Sequence, residues 1–176
     1  SRTATLMGRT LPVQRGAGQG YRRGIMEHGQ PPNRPQDVFT PPEGPPQGNA
    51  PSREIYAAMG QENLFALCRD FYARLEQSPI RPMFPEDMAL ASEKLASFLS
   101  GLLGGPPLYH QRYGNPMMRA RHLKFPIHQQ ERDVWLNCFK AALQDAPARY
   151  NFPAQHVDGF VAFLETFSRW MVNREG

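Results

Sequence analysis

Arg119-Ala120-Arg121-His122-Leu123-Lys124-Phe125-Pro126-Ile127 is followed three residues later by Glu131-Arg132-Asp133-Val134-Trp135-Leu136. The first stretch sets one histidine in a short basic run and closes it with a proline, which cannot continue a helix. The second opens a helix with a lone tryptophan on its apolar side. A histidine held this way can offer neutral imidazole to a metal. A tryptophan on the next helix can turn a donor-only N–H toward whatever that metal binds.

Working outward, the chain from Ser52 onward reads as helical. Ser52-Arg53-Glu54-Ile55-Tyr56 has a capping serine and an early acid, and predicts a short helix ending at Gly60. Leu64, Leu67, Cys68, Phe71, Tyr72 and Leu75 follow at three-four spacing until Pro79 and Pro82. Phe84-Pro85-Glu86-Asp87 reads as a loop. Leu95, Phe98, Leu99, Leu102 and Leu103 form a third stripe, stopped by Gly104-Gly105-Pro106-Pro107. Trp135, Cys138, Phe139, Ala142 and Leu143 mark a fourth helix, and Val157, Phe160, Val161, Leu164, Phe167 and Met171 the last. There is no internal repeat and no convincing strand, so the fold class is all-α.

Between the third and fourth long helices, residues 106–127 read as irregular, apart from one short turn around His122. A plain up-down bundle has no use for so long a connection. It is also too apolar for a linker, since it holds Tyr109, Tyr113, Met117, Met118, His122 and Phe125. An apolar irregular segment with basic residues can line a flat hydrophobic anion.

Residues 1–51 differ in kind. They hold nine Pro and eight Gly, with six Arg against three acids (Glu27, Asp37, Glu43), so +3 of the net +4 belongs to them. Proline removes backbone donors and glycine is costly to order, so a flexible extension over 1–51 and a folded domain over 52–176 are expected. Five Arg and no acid stand in the first 25 residues. That pattern also occurs in transit peptides, but a dispensable tail, or an upstream extension with Met26 as the natural start, is the plainer reading. The scattered basic residues weigh against a nucleic-acid partner despite the pI of 9.3. No apolar run approaches the roughly 18 residues of a membrane helix, and no hydrophobic signal core opens the chain. A soluble, cytoplasmic protein is expected, with Cys68 and Cys138 as small core residues in a reducing compartment.

Phe71-Tyr72, Arg81-Pro82-Met83-Phe84-Pro85-Glu86-Asp87, Phe98-Leu99, Gly104-Gly105-Pro106, Arg121-His122 and Glu131-Arg132-Asp133-Val134-Trp135-Leu136, in this order, resemble the group II truncated haemoglobins. The resemblance runs from about Tyr56 to Asn173. It implies a two-over-two helical sandwich around haem b, with a largely irregular proximal segment. It makes His122 the proximal iron ligand, and Tyr72 and Trp135 the distal donors to bound gas. Taken alone, Tyr72 would be a core tyrosine and Trp135 a core filler, and His122 one candidate among five histidines. His28 lies in the extension, and His110, His128 and His156 read as surface or packing residues. The resemblance also implies Phe84 as an aromatic wedge against the haem, with Ala91 and Leu95 on the distal helix facing the iron. Phe98 and Phe125 are assigned to the lining, and Arg119, Arg121 and Tyr109 to the haem propionates, which arginine suits geometrically. A basic run can equally be a solvated face. Two departures stand out: Gly60-Gln61 replaces a Gly-Gly pair of many members, and the loop after Asp87 is one residue shorter than in some.

The functions these readings admit are reversible binding of dioxygen, carbon monoxide and nitric oxide, or a haem enzyme of nitric oxide dioxygenation or peroxidase-like chemistry. The enzyme needs an outside electron donor, an unidentified reductase, since no flavin or nicotinamide fingerprint is present and no reductase is fused at this length. A third reading is a cofactor-free helical interaction module. A monomer or homodimer is expected.

Overall fold

The structure, a computed structural model, describes residues 38–48 and 50–176, all within one compact unit. The readings for residues 1–37, including His28 and the possible start at Met26, lie outside the described residues.

Seven helices carry the fold among these residues: α1 (Ile55–Glu76), α2 (Met88–Leu102), α3 (Leu108–Tyr113), α4 (Met118–His122), α5 (Gln129–Gln144), α6 (Ala146–Tyr150) and α7 (Val157–Met171). No strand is present among them. α1 is two helices joined at a break, because Gly60 has φ 77° and ψ 163°, a conformation open to glycine and strained for any other residue. This is the junction expected from sequence. α2 starts where the Asp87 carboxylate accepts the Leu90 N–H at 2.9 Å, the ordinary N-cap bond. It ends at Gly104 (φ 98°), where an added Cβ would lie 1.9 Å from the Arg53 carbonyl oxygen. That close approach brings the start of α1 onto the end of α2. α5 begins at His128, whose N–H donates to the Glu131 carboxylate at 2.8 Å.

α1 packs on α2, α5 packs on α7, and α1 crosses α5 between the pairs. This is the two-over-two sandwich. Phe71 of α1 stacks on Phe139 of α5, with ring centroids 4.3 Å apart, and Phe139 meets Phe160 of α7 edge-on at 5.7 Å. All three rings are buried, and each contributes about 1.5–3 kcal/mol by leaving water. Arg132 ties the second pair, donating to Ser168 Oγ at 2.9 Å and to the Glu165 carbonyl at 2.8 Å. Both cysteines are free thiols, with Cys68 in the core.

Two short helices lie where the sequence showed none. α3 occupies part of the stretch read as irregular. Its six residues carry a single four-apart pair, Tyr109 and Tyr113, too short to read as a stripe, and Gly114 (φ 81°) stops it. α6 starts on Pro147 in its first turn, a favoured place for proline. The boundary read from composition also shifts. Phe39, assigned to the extension, donates its N–H to the Asn173 carbonyl at 3.0 Å and accepts from Arg119 at 2.8 Å, and Pro41 is buried. Local composition misses this because the bonding partners are far along the chain.

Candidate functional site

The side chains singled out by sequence fall into two walls and a short helix. Tyr72 on α1 meets Phe84 edge-on at 5.9 Å, and Phe84 follows directly after a 3-10 turn, Arg81–Met83. Phe71 meets both Tyr72 and Trp135 of α5 nearly at right angles, with ring centroids 5.4 Å apart in each pair. Phe84, Tyr72 and Trp135 thus form one wall about the buried Phe71 ring. Each is half-buried and packed against the core. Ala91 and Leu95, one turn apart on α2, are half-buried as well.

A second wall runs from α2 to α3. Phe98 stacks on Phe167 at 5.7 Å and meets Tyr109 at 6.3 Å, and the Arg121 guanidinium lies 5.5 Å above the Tyr109 ring. A pocket of about 230 Å³ opens on this side, lined by Arg53, Gly101, Pro107 and His110 as well as Phe98 and Tyr109. It includes none of His122, Tyr72 and Trp135 and is smaller than the roughly 300–1,000 Å³ of ordinary ligand sites, so it is not the site.

His122 ends α4. Its Nδ1 lies 2.6 Å from the Met118 carbonyl oxygen, a contact that makes Nδ1 the protonated nitrogen and leaves the Nε2 lone pair free. Burial pushes its pKa below the usual imidazole range. The Lys124 charge adds to that, and the bond to Met118 opposes it. The ring is therefore neutral at pH 7, the form a metal accepts. Phe125 lies beside it, centroids 6.3 Å apart, with its outer face exposed under Lys124. No hydrogen bond or aromatic pair joins His122 directly to Tyr72 or Trp135 among the described residues. No group of three or more His, Cys, Asp or Glu that could hold a bare metal ion occurs among them either.

On α1, burial pushes the Tyr72 phenol well above its usual range, and the neighbouring Cys68 acts in the same direction. Tyr72 therefore keeps its proton and can donate. Neither the Tyr72 hydroxyl nor the Trp135 N–H bonds to a described protein group, and neither is a sealed, unsatisfied polar atom. A neutral imidazole with a free nitrogen, apolar aromatic walls and two unspent donors together fit a flat apolar group that carries a metal.

The arginines read as propionate holders have other work. Arg119 donates to the carbonyls of Trp170, Val172 (3.0 Å) and Phe39 (2.8 Å), and lies 4.3 Å above the Trp170 ring. Both terminal nitrogens of Arg119 are thus engaged by backbone carbonyls. Arg121 gives one terminal nitrogen to the Tyr113 and Asn115 carbonyls, at 3.0 and 2.9 Å, and keeps the rest of its guanidinium unspent. Sequence reasoning missed Asn173, which is fully buried against the His122 turn. A lone asparagine just after an apolar helix shows no pattern that could have marked it.

The bacterial-like globin family matches residues 54–173. A group 2 truncated hemoglobin of Bacillus subtilis is 40% identical over 127 residues, covering 72% of this chain and 90% of that protein. The crystal structure of a truncated oxygen-avid haemoglobin from Bacillus subtilis superposes with a TM-score of 0.62 at 39% identity, covering 68% of this chain and 98% of that one. Phosphate-bound Hell's gate globin IV gives a TM-score of 0.68 at 35% identity, covering 74% and 81%.

Proposed function

The chain belongs to the bacterial-like globin family, on its group II truncated haemoglobin branch, and from that premise we propose that it is a haem b protein that binds dioxygen reversibly, with His122 as the axial ligand and Tyr72 and Trp135 as donors to the bound gas. The family itself implies a haem cofactor and diatomic gas binding. The observation that carries the finer reading is the His122 ring: neutral, with Nδ1 bound to the Met118 carbonyl at 2.6 Å and Nε2 left free.

When bound, ferrous haem supplies one open coordination position for dioxygen, carbon monoxide or nitric oxide. The protein's residues do the rest. His122 would hold the iron through Nε2, with the Met118 carbonyl fixing the tautomer of its ring. Phe84, Leu95 and Phe98 exclude water from the apolar faces. Tyr72 and Trp135 donate to the partial negative charge on the gas, and each such bond contributes about 1.5–3 kcal/mol. Ala91 has no polar group to add, so Tyr72 and Trp135 set the polarity of that side. Tyr109 and the unspent part of Arg121 are the groups proposed for the propionates. An external electron donor would be needed to supply ferrous iron, and the two free thiols fit a reducing compartment such as the cytoplasm.

Titration of the purified chain with haem tests the reading. It predicts saturation at one haem per chain, a Soret band that shifts with carbon monoxide after reduction, and a pyridine haemochrome of the b type. A chain that takes up no haem would overturn it.

A further inference from the structure

We infer that Asn173 is the positioning residue of the His122 turn, so that the end of α7 sets where the axial imidazole stands. The inference rests on the haem reading above.

Asn173 is fully buried, and all its polar atoms are spent on the stretch that carries the ligand or on its neighbours. Its Nδ2 donates to the His122 carbonyl at 3.1 Å and to the Phe125 carbonyl at 2.9 Å. Its Oδ1 accepts the Ile127 N–H at 3.0 Å and Arg174 Nη1 at 3.3 Å. Carbonyls face the nitrogen and N–H groups face the oxygen, so only one orientation of the amide satisfies its partners. The main chain repeats the link: Asn173 donates to the Ile127 carbonyl at 2.9 Å and accepts from Phe39 at 3.0 Å.

The ligand segment needs this support. α4 is five residues long, far below the length at which a helix holds itself together in water. Leu123 to Ile127 form no helix. Beyond α4 its own main chain closes it with just two bonds, Leu123 N–H to the Ala120 carbonyl at 3.4 Å and Phe125 N–H to the His122 carbonyl at 2.9 Å. Tertiary bonds must therefore place it, and they converge on residues 170–173. Arg119 binds the Trp170 and Val172 carbonyls near the start of α4, and Asn173 binds its last residue, His122. The imidazole is fixed at its ring by Met118 and at its backbone by Asn173.

The test compares Asn173→Asp with Tyr150→Phe. Aspartate keeps the shape and the acceptor for Ile127 but turns an acceptor toward two carbonyls. Tyr150→Phe removes the bond to Asp70 (2.9 Å), away from the turn, and serves as a control for general destabilisation. Haem transfer to apomyoglobin should speed up about tenfold or more in Asn173→Asp, the scale expected when a group that orients a ligand is lost. The Fe–His stretching band of the ferrous complex should shift or broaden. Tyr150→Phe should lower the melting temperature and leave both unchanged. An unchanged band and transfer rate in Asn173→Asp, or equal changes in the two variants, would overturn the inference. If Asn173→Asp does not fold, Asn173→Ser, which keeps one hydroxyl for these partners, takes its place with a smaller change in the same direction. Independently of haem, the Ile127 amide of the wild type should exchange as slowly as those of α7, and exchange as fast as that of exposed loops would also overturn it. A wild type without haem overturns the functional reading and this one together. A wild type that binds haem through His122, with Asn173→Asp indistinguishable from it, overturns this one alone.

Discussion

Replacing Trp135 with phenylalanine separates a donor from a packing residue. The indole is half-buried, with the ring centroids of Phe71 and Phe139 5.4 and 5.6 Å from its own. Phenylalanine keeps most of those contacts and loses only the N–H and part of the ring. The lost packing should cost about 1–2 kcal/mol of folding stability, within the ordinary range for a partly buried substitution. The lost donor acts only when gas is bound. A hydrogen bond to a charged acceptor contributes about 1.5–3 kcal/mol, and each 1.4 kcal/mol is a decade, so oxygen should leave roughly 10- to 100-fold faster. Stopped-flow measurement of oxygen release from the ferrous protein, with carbon monoxide as the trap, reads this directly. Tyr72→Phe should act in the same direction, because Tyr72 and Trp135 flank the same Phe71 ring. If the two donors share one gas molecule, the double variant should depart from the sum of the single effects. An unchanged release rate alongside a lowered melting temperature would show that Trp135 only packs and would refute the donor assignment.

Met117 holds a left-handed backbone (φ 37°, ψ 51°) at the entry to α4 with its side chain exposed. Met117→Gly should therefore raise stability by up to about 1 kcal/mol, the left-handed penalty less the entropy of glycine, and thermal unfolding that shows a loss would contradict this. Gly104→Ala should cost at least about 2–3 kcal/mol, since the new methyl would meet the Arg53 backbone and the residue would hold φ 98°; a urea midpoint near wild type would count against it. The His122 pKa is lowered by burial, so its neutral ring favours the fold. That contribution is complete above the unfolded value of about 6.5 and is lost as pH falls through the lower folded value. Urea unfolding of the haem-free protein should accordingly weaken on acidification from neutral pH, and His122→Asn should lose part of that dependence; identical pH profiles would contradict the assignment.

The helices of the sandwich were legible because each carries a three-four apolar stripe that must face a core, and Gly60 and Gly104-Gly105 punctuate them. The segment around His122 was legible in another way: too apolar for a linker and too broken for a long helix. Within it α3 escaped notice, since six residues such as Leu108–Tyr113 give no period to read. The partners of Arg119, the Trp170, Val172 and Phe39 carbonyls, were not legible because they are 51, 53 and 80 residues away. The same distance hid Asn173 and the attachment of Phe39. Sequence shows a side chain's chemistry and its local periodicity, but not which distant backbone atom will spend it.

The account turns on His122 as the axial ligand of a bound haem. Absorption spectra of the reduced wild type and His122→Ala, with and without carbon monoxide, test that claim most directly. The account predicts a strong Soret band that shifts with carbon monoxide in the wild type and is lost or altered in the variant. A colourless wild type after haem addition, or a variant whose spectra match the wild type, would contradict it.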